Sequence, residues 1–398
     1  MAETLAKSLT LTDLTLFGVA SIMGSGGFNL IGDALRAGQT RWPIALGVAA
    51  VLLMAAAYSY ASAYSRMKTN TAETDIIREQ FGPAAEWVST GAILTFNIVS
   101  ISTVLVMCAH LVLPGTSWLT QVSAALATLG GISAFSLAGI DVNKYVVNAM
   151  SGGIVAVLAA AAALGAYGLA TFRSPLPITS SATPTPNFMT SLLLFFFVLA
   201  GFDSLMKFSQ ETKNPGTDIP VSFFLSNGIS DILTAGVATA IAIWLPSTFT
   251  RSTDGANELG RLFGYFTGGG QRLADTFCYL TVLFMIITVF VVFLGTTRYL
   301  YGLAEQKPCL AGLTDLNDAK APYVAIGTIA AIAAAAILIN HAPTLVKISN
   351  LGVFVMLAAV AAVVAKADWI AGSLLPALFN GGTAAAITGL FGAAILKG

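Results

Sequence analysis

Apolar stretches long enough to cross a lipid bilayer follow one another along this chain, and they limit its fold more than any other feature. A transmembrane helix needs about 20 predominantly apolar residues. Ten stretches meet that length, at 13–35, 42–65, 86–113, 118–138, 145–171, 187–208, 221–245, 273–304, 322–340 and 343–366. An eleventh, 369–396, is interrupted at Pro376 and at Gly381 and Gly382. The sequence predicts an all-α integral membrane protein with about 11 spans.

Composition agrees with this class and excludes others. Of the 398 residues, 56% are hydrophobic and 10% are charged, whereas a soluble domain carries about 25% charged residues. No strand-length alternating pattern occurs, so a helical bundle is expected and a β-barrel is not. The formal net charge is zero, which argues against a nucleic-acid partner. The lipid bilayer is the expected environment.

Lysine and arginine in the connecting segments predict the orientation of the chain. With the N-terminus in the cytoplasm, 11 basic residues face inward, 7 face outward and Lys397 stays unassigned. This bias predicts a cytoplasmic N-terminus and a multi-pass protein of a plasma or cell membrane.

Two of the apolar stretches contain residues that interrupt a helix. The first reads SIMGSGGFNL at 21–30, and the sixth reads FFFVLAGFDS at 195–204 with Gly201 and Asp203 inside an aromatic run. Glycine costs a helix interior about 1 kcal/mol relative to alanine. Two interrupted helices five spans apart indicate an inverted repeat of the kind found in membrane transporters. We expect a first repeat at 12–171, a second at 187–366, and an extra span or truncated remnant at 367–398.

A broken helix inside the membrane has a specific chemical use. The break frees backbone N–H and C=O groups, which cost several kcal/mol each if they stay unpaired. A half-helix N-terminus offers N–H groups to a carboxylate, and a half-helix C-terminus offers carbonyls to an ammonium. Small residues also serve close helix packing, but the matching break at Gly201 favours a binding site for a zwitterion.

Four segments resemble the amino acid–polyamine–organocation transporter superfamily. LTLTDLTLFGVASIMGSGGF is similar to its first-span signature, GSGIF or GAGIF, and FFFVLAGFDSLMKFSQETKNPGTDIP to its sixth-span signature with the KNP tail. YSYASAYSRMKTNTAETDIIREQFGP resembles the loop between the second and third spans, and TTRYLYGLAEQKPCL the end of the eighth. The resemblance implies an amino acid permease with the leucine-transporter-like 5+5 inverted-repeat fold and discontinuous first and sixth helices.

The resemblance also implies a binding site. Ser25 and Gly26, with Gly27 beside them, are expected to receive a carboxylate, and the carbonyls of Ile22 and Phe197, with that of Ala200, an ammonium. The implied substrate-binding positions are Ile22, Gly24, Ser25, Gly26, Gly27, Asn97, Phe197, Val198, Ala200 and Gly201. The implied gate or coupling positions are Phe197, Asp203 and Arg298.

The expected cargo follows from the charged residues near this site. Cationic amino acids and polyamines usually need a carboxylate in the pocket, and Asp203 is the one near it. Asp203 either acts in gating or coupling, or pairs with Lys207 to stabilise the broken helix. We therefore expect secondary active transport, by alternating access, of a neutral or small amino acid, with a cationic amino acid or polyamine carrier or exchanger as the alternative.

Other functions receive less support. An intramembrane aspartyl protease would use Asp203 and Asp231, but AGFD lacks the full GxGD motif. A non-transporting nutrient sensor of the same fold stays open. The sequence predicts no catalytic residue, no metal site and no cofactor; a coupling ion, either a proton or sodium, is left open, as is the oligomeric state. Some proton-coupled relatives carry a lysine in the fifth span, where AMSGGIVAVLAAA has none.

Overall fold

The computed structural model describes residues 5–23, 30–172, 187–245, 258–268 and 270–397. Its regular structure there is helical, and no β-strand longer than a single bridge occurs in these ranges. The α-helices are α1 Leu11–Met23, α2 Ile31–Gly38, α3 Trp42–Met67, α4 Ala72–Phe81, α5 Pro83–Val112, α6 Trp118–Ser136, α7 Ile140–Phe172, α8 Phe188–Leu199, α9 Pro215–Trp244, α10 Glu258–Thr267, α11 Gly270–Gln306, α12 Tyr323–Ile337, α13 Ala342–Ile370 and α14 Leu374–Lys397. The same described ranges contain three 3₁₀ helices, Gln39–Arg41, Phe202–Glu211 and Pro308–Leu313.

The helices confirm the predicted class. In the described ranges, 8 helical runs are long and apolar enough to cross a membrane, and shorter apolar helices occur at Leu11–Met23, Tyr323–Ile337 and Leu374–Leu390. The protein is an all-helical, multi-pass membrane protein. The number of crossings and the orientation stay predictions.

The sixth apolar stretch is broken where the sequence predicts. Helix α8 ends at Leu199, Ala200 is extended, and Gly201 has φ +134° before the 3₁₀ helix Phe202–Glu211 begins. An L side chain rarely adopts that φ, so glycine is required at 201. A 3₁₀ helix of 10 residues is longer than the usual 3–4 residues.

The structure describes two helices of the first apolar stretch. Helix α1 ends at Met23 and α2 begins at Ile31. The predicted binding positions Gly24, Ser25, Gly26 and Gly27 lie between them, outside the described residues.

Packing brings the two interrupted stretches to the centre of the bundle. Helix α1 packs against α7, α9, α11 and the 3₁₀ helix Phe202–Glu211, while α8 packs against α2 and α3. The contact of the first stretch with the seventh therefore has a counterpart in the contact of the sixth with the second. An inverted repeat predicts such reciprocal contacts, and the repeat boundaries themselves stay a prediction.

The C-terminal stretch forms one helix despite Pro376 and its glycine pair. Helix α14 packs along α13 and also touches α3. Ser59 of α3 donates a hydrogen bond to Asn380 (2.6 Å), and Asn380 donates one to Asp368 of α13 (2.8 Å). Arg66 forms an ion pair with the same carboxylate. This buried polar link fixes the last helix against the bundle.

Candidate functional site

A cavity of about 210 Å³ lies beside the break in the sixth apolar stretch. Residues of the first, second, third, sixth, eighth and tenth apolar stretches line it, together with Glu73 of the connecting helix α4. Ligand pockets for drug-sized molecules span about 300–1,000 Å³. The smaller volume here suits a metabolite such as a single amino acid.

Hydrogen bonds hold the broken segment against α1. Ser21 donates to the carbonyl of Gly201 (2.8 Å) and lies 3.4 Å from the Ser204 hydroxyl. Thr288 of α11 donates to the carbonyl of Ala20 (2.6 Å). A Cβ at position 201 would lie 2.7 Å from the carbonyl oxygen of Ser21. Glycine at 201 thus permits both the backbone angle and the close approach of the two chain segments.

Asn97 of α5 is a polar side chain without a protein partner. It lines the cavity and is completely buried, and among the described residues neither its Nδ2 nor its Oδ1 has a hydrogen-bond partner. Buried amides are nearly always paired. An amide that faces a cavity in this condition is suited to bind a polar group of a ligand.

Much of the cavity wall is apolar. Three helices supply aliphatic or thioether side chains to it, namely Ile93, Ile101, Val104 and Met107 of α5, Val289 and Val292 of α11, and Val353, Met356 and Leu357 of α13. Such a wall favours an apolar ligand side chain, because burying apolar surface contributes about 25 cal/mol per Å².

A buried ionic cluster lies along another part of the cavity. Lys207 Nζ lies 2.9 Å from Asp203 Oδ2 and 4.0 Å from Glu73 Oε1, and both carboxylates line the cavity. Tyr60 hydrogen-bonds the Glu73 carboxyl. Burial raises the pKa of Glu73 to about 7, and Lys207 opposes part of that rise. We call Lys207, Asp203 and Glu73 the ionic cluster.

The sequence predicts only part of this cluster. It gave pairing of Asp203 with Lys207 as one alternative, and the structure shows that pair. It did not identify Glu73, which lies in a connecting helix and is 1% exposed. The inference that Asp203 is the one acid near the site was therefore wrong, although Lys207 offsets one of the two negative charges.

A second buried ion pair lies away from the cavity. Arg298 of α11 is completely buried, and its Nε and Nη2 atoms donate to the Glu211 carboxylate at 3.1 Å each. The backbone N–H groups of Ser8 and Leu9 donate to the Glu211 carbonyl, both at 2.9 Å. The pair thus joins the end of the broken stretch, the segment before α1, and α11. Arg298, one of the implied gate or coupling positions, is thus paired with a carboxylate, and its gating role stays a prediction.

The remaining predicted site residues divide into two groups. Asn97, Phe197, Ala200, Gly201 and Asp203 all line the cavity. The side chains of Ile22 and Val198 lie in the hydrophobic core and are not part of the cavity lining. No ligand contact tests these positions, so each binding role stays a prediction.

Phe197 contacts the tenth apolar stretch from the cavity wall. Its ring stands edge-on to Phe354 of α13, with centroids 5.3 Å apart. This contact links the helix before the break to α13, and the gating role of Phe197 stays a prediction.

Asp231, the second acid of the protease alternative, does not line the cavity that contains Asp203. Within the described ranges it has no ion-pair partner. The arrangement gives no support to a catalytic aspartate dyad, which needs two carboxyl groups in one site.

A multi-pass helical bundle with a small central cavity at a broken helix defines a membrane transporter of small solutes. The chain belongs to the amino acid permease family, whose sequence model matches residues 9–369.

Individual relatives agree with this assignment. The branched-chain amino acid permease BcaP of Bacillus subtilis is 24% identical over 392 residues, covering 92% of this chain and 82% of the relative. Uncharacterized transporters of Mycobacterium tuberculosis and Mycobacterium bovis are each 25% identical over 264 residues, covering 66% of this chain and 59% of theirs. These findings indicate a transporter of amino acids, and they do not indicate an enzyme.

Proposed function

We propose that this permease carries neutral amino acids with branched apolar side chains, and that it does so by alternating access around the central cavity. The observation that carries this proposal is the combination of an apolar wall and one amide without a partner among the described residues, Asn97, beside the backbone break at Gly201. An amino acid presents the matching features, a zwitterionic backbone and an apolar side chain. The Bacillus subtilis relative is named as a branched-chain amino acid permease, which supports the same cargo class.

Binding of the zwitterion uses the broken helix. The carbonyls that end α8 point along the helix axis toward its C-terminus and attract an ammonium. Asn97 supplies a donor and an acceptor to the same polar end of the ligand. Hydrogen bonds to charged groups contribute about 1.5–3 kcal/mol each, so two or three of them suit micromolar to millimolar affinity.

A cationic amino acid or polyamine is the second candidate. Glu73 and Asp203 both line the cavity, and carboxylates bind cationic groups. Lys207 lies within 4.0 Å of both, so a second cation there would meet a like charge. We therefore favour the neutral cargo.

Uptake into proteoliposomes tests the cargo class. We expect purified protein to take up labelled leucine, with isoleucine and valine competing at least tenfold better than lysine or putrescine. Stronger competition by lysine or putrescine would establish the cationic alternative. Protein that binds leucine but never moves it across the membrane would be a sensor.

A pair of variants on α13 tests the location of the site. Val353→Trp places an indole in the cavity, whereas Val355→Trp places the same side chain at an exposed position two residues away. We expect V353W to lose at least nine-tenths of leucine uptake and V355W to keep most of it. Equal uptake by the two variants would remove the cavity from the transport path.

A further inference from the structure

The ionic cluster has a composition that the proposed amino acid site does not explain. Lys207 and Glu73 are each 1% exposed, and the Asp203 side chain is 15% exposed. Two carboxylates against one ammonium leave a net charge of −1 when all three are ionised. A buried net charge is costly, and a group in that position tends to neutralise by changing its protonation state.

Geometry indicates which of the two carboxylates accepts the proton. Asp203 is within hydrogen-bonding distance of Lys207, at 2.9 Å, whereas Glu73 Oε1 is 4.0 Å away and has no hydrogen-bond partner among the described residues. Asp203 therefore has an ion-pair partner at hydrogen-bonding distance, whereas Glu73 does not. Glu73 lines the cavity, so its carboxyl can exchange a proton with water that enters there.

The groups that face Glu73 come from three other elements. Lys207 and Asp203 belong to the 3₁₀ helix of the broken stretch, Tyr60 to α3 and Tyr299 to α11. Burial and the Asp203 charge favour the neutral acid of Glu73, whereas Lys207 and the hydrogen bond from Tyr60 favour its carboxylate. The resulting pKa of about 7 allows the group to change its charge at neutral pH.

We propose that Glu73 is the proton-coupling site of this permease: its carboxylate takes up one proton from the water on one side when the amino acid binds, and the neutral carboxyl releases that proton on the other side. The proton adds to a Glu73 oxygen and leaves from it, and no other bond changes. Lys207 belongs to the 3₁₀ helix Phe202–Glu211, so in this proposal a displacement of that helix during alternating access changes the charge that Glu73 faces. This inference rests on the proposed amino acid transport.

Proteoliposomes are loaded with unlabelled leucine and then given labelled leucine outside. This arrangement measures leucine exchange, which needs no proton or sodium gradient. The same vesicles with an acidic exterior and neutral interior measure proton-driven accumulation. We expect the ratio of driven to undriven uptake to be several-fold in the unaltered protein and to fall to about one in Glu73→Gln. Glu79→Gln is the matched control, because Glu79 lies exposed on the same helix, α4; it should keep the unaltered ratio.

The outcomes separate the two proposals. If the unaltered protein fails to exchange leucine, the proposed cargo is wrong. If it exchanges leucine but a pH gradient has no effect, or only a sodium gradient drives uptake, the proton proposal is wrong and the cargo proposal stands. An E73Q protein that still responds fully to the pH gradient also contradicts it.

A measurement on the unaltered protein covers the case in which E73Q does not fold. Calorimetry of leucine binding at pH 8, in two buffers with different ionisation enthalpies, counts the protons taken up. We expect uptake approaching one proton per leucine at pH 8 and close to none at pH 5, where Glu73 is already protonated. Heats that do not depend on the buffer at pH 8 would overturn the assignment.

Discussion

At the scale of single residues, Gly201 does two things that no other residue can combine. Its φ of +134° belongs to the region that L side chains rarely adopt, and its lack of a Cβ lets Ser21 approach. Both features permit the break in the sixth stretch, which lies at the cavity. The break is therefore encoded at one position of the chain.

Replacing Gly201 by alanine should damage folding and transport together. A residue held in a rare backbone region costs about 1–3 kcal/mol, and the new Cβ also displaces Ser21. We expect Gly201→Ala to lower the melting temperature in detergent and to lose most leucine uptake. Gly216→Ala is the control, since a Cβ there meets no atom within 4 Å. A G201A protein with normal melting and uptake would show that the break does not need glycine.

A substitution at Asn97 can separate an effect on substrate binding from an effect on protein stability. Leucine at this position keeps the branched shape and removes an unpaired buried amide, so folding loses no hydrogen bond. We expect Asn97→Leu to raise the KM for leucine about 3–10-fold, the equivalent of one ordinary hydrogen bond, with an unchanged or higher melting temperature.

A buried asparagine outside the cavity provides the comparison for Asn97. Asn227 of α9 donates to the Phe223 carbonyl at 2.8 Å and does not line the cavity. Asn227→Leu should lower the melting temperature and leave KM near its original value. An unchanged KM in N97L would mean that Asn97 does not touch the substrate.

The residues that could be predicted from the sequence are those whose type conflicts with their surroundings. Gly201 and Asp203 stand out in an aromatic run of the sixth stretch. Glu73 does not stand out, because an acidic residue in the first turn of a connecting helix is ordinary. Its environment also includes Lys207, which the fold brings from a distant part of the chain, and the sequence does not show that contact.

At the scale of elements, the 3₁₀ helix after Gly201 carries both buried ion pairs. Lys207 in its middle belongs to the ionic cluster, and Glu211 at its end binds Arg298. A change in the position of this element therefore changes the charges at both places. The sequence predicted the break, but the 3₁₀ geometry and the Glu211 contact depend on α11 and on the segment before α1.

Removing one partner of the Glu211–Arg298 pair should lower the free energy of unfolding of the protein. A buried charge without its partner destabilises a protein by about 3–5 kcal/mol. We expect Glu211→Gln to lower the melting temperature strongly, and the double variant with Arg298→Met to recover part of the loss. Asp141→Asn removes an exposed i,i+3 pair with Lys144 at 3.7 Å and should have little effect. If E211Q and D141N melt alike, the buried pair contributes nothing to stability.

At the scale of the whole molecule, six of the apolar stretches that the sequence delimits contribute side chains to one cavity. The apolar segments could be predicted because a bilayer requires about 20 apolar residues in each. The rotation of each helix could not be predicted, since helices that are apolar on every side give no direction for the core. The apolar wall formed by α5, α11 and α13 could therefore be identified only from the structure.

The stability of the whole protein should depend on pH through Glu73. The carboxyl has a pKa near 4.5 in an unfolded chain and about 7 in the folded protein. Between these values the folded state holds more protons than the unfolded state, so stability falls as pH rises from about 4.5 to about 7. The slope from this group is at most about 1.4 kcal/mol per pH unit.

Melting curves in detergent between pH 4.5 and 8 measure this dependence. We expect E73Q to lack the part of the decline that the unaltered protein and E79Q share. Identical pH profiles for all three proteins would show that Glu73 titrates alike in the folded and unfolded states.

A structure determined by electron cryo-microscopy with saturating leucine tests the central claim most directly. We predict density for one leucine in the cavity, with its ammonium or carboxylate at the backbone break around Gly201, its polar end near Asn97, and its side chain against Val104 and Val353. A sixth stretch that continues as an unbroken helix, or leucine bound elsewhere with this cavity empty, would contradict the account.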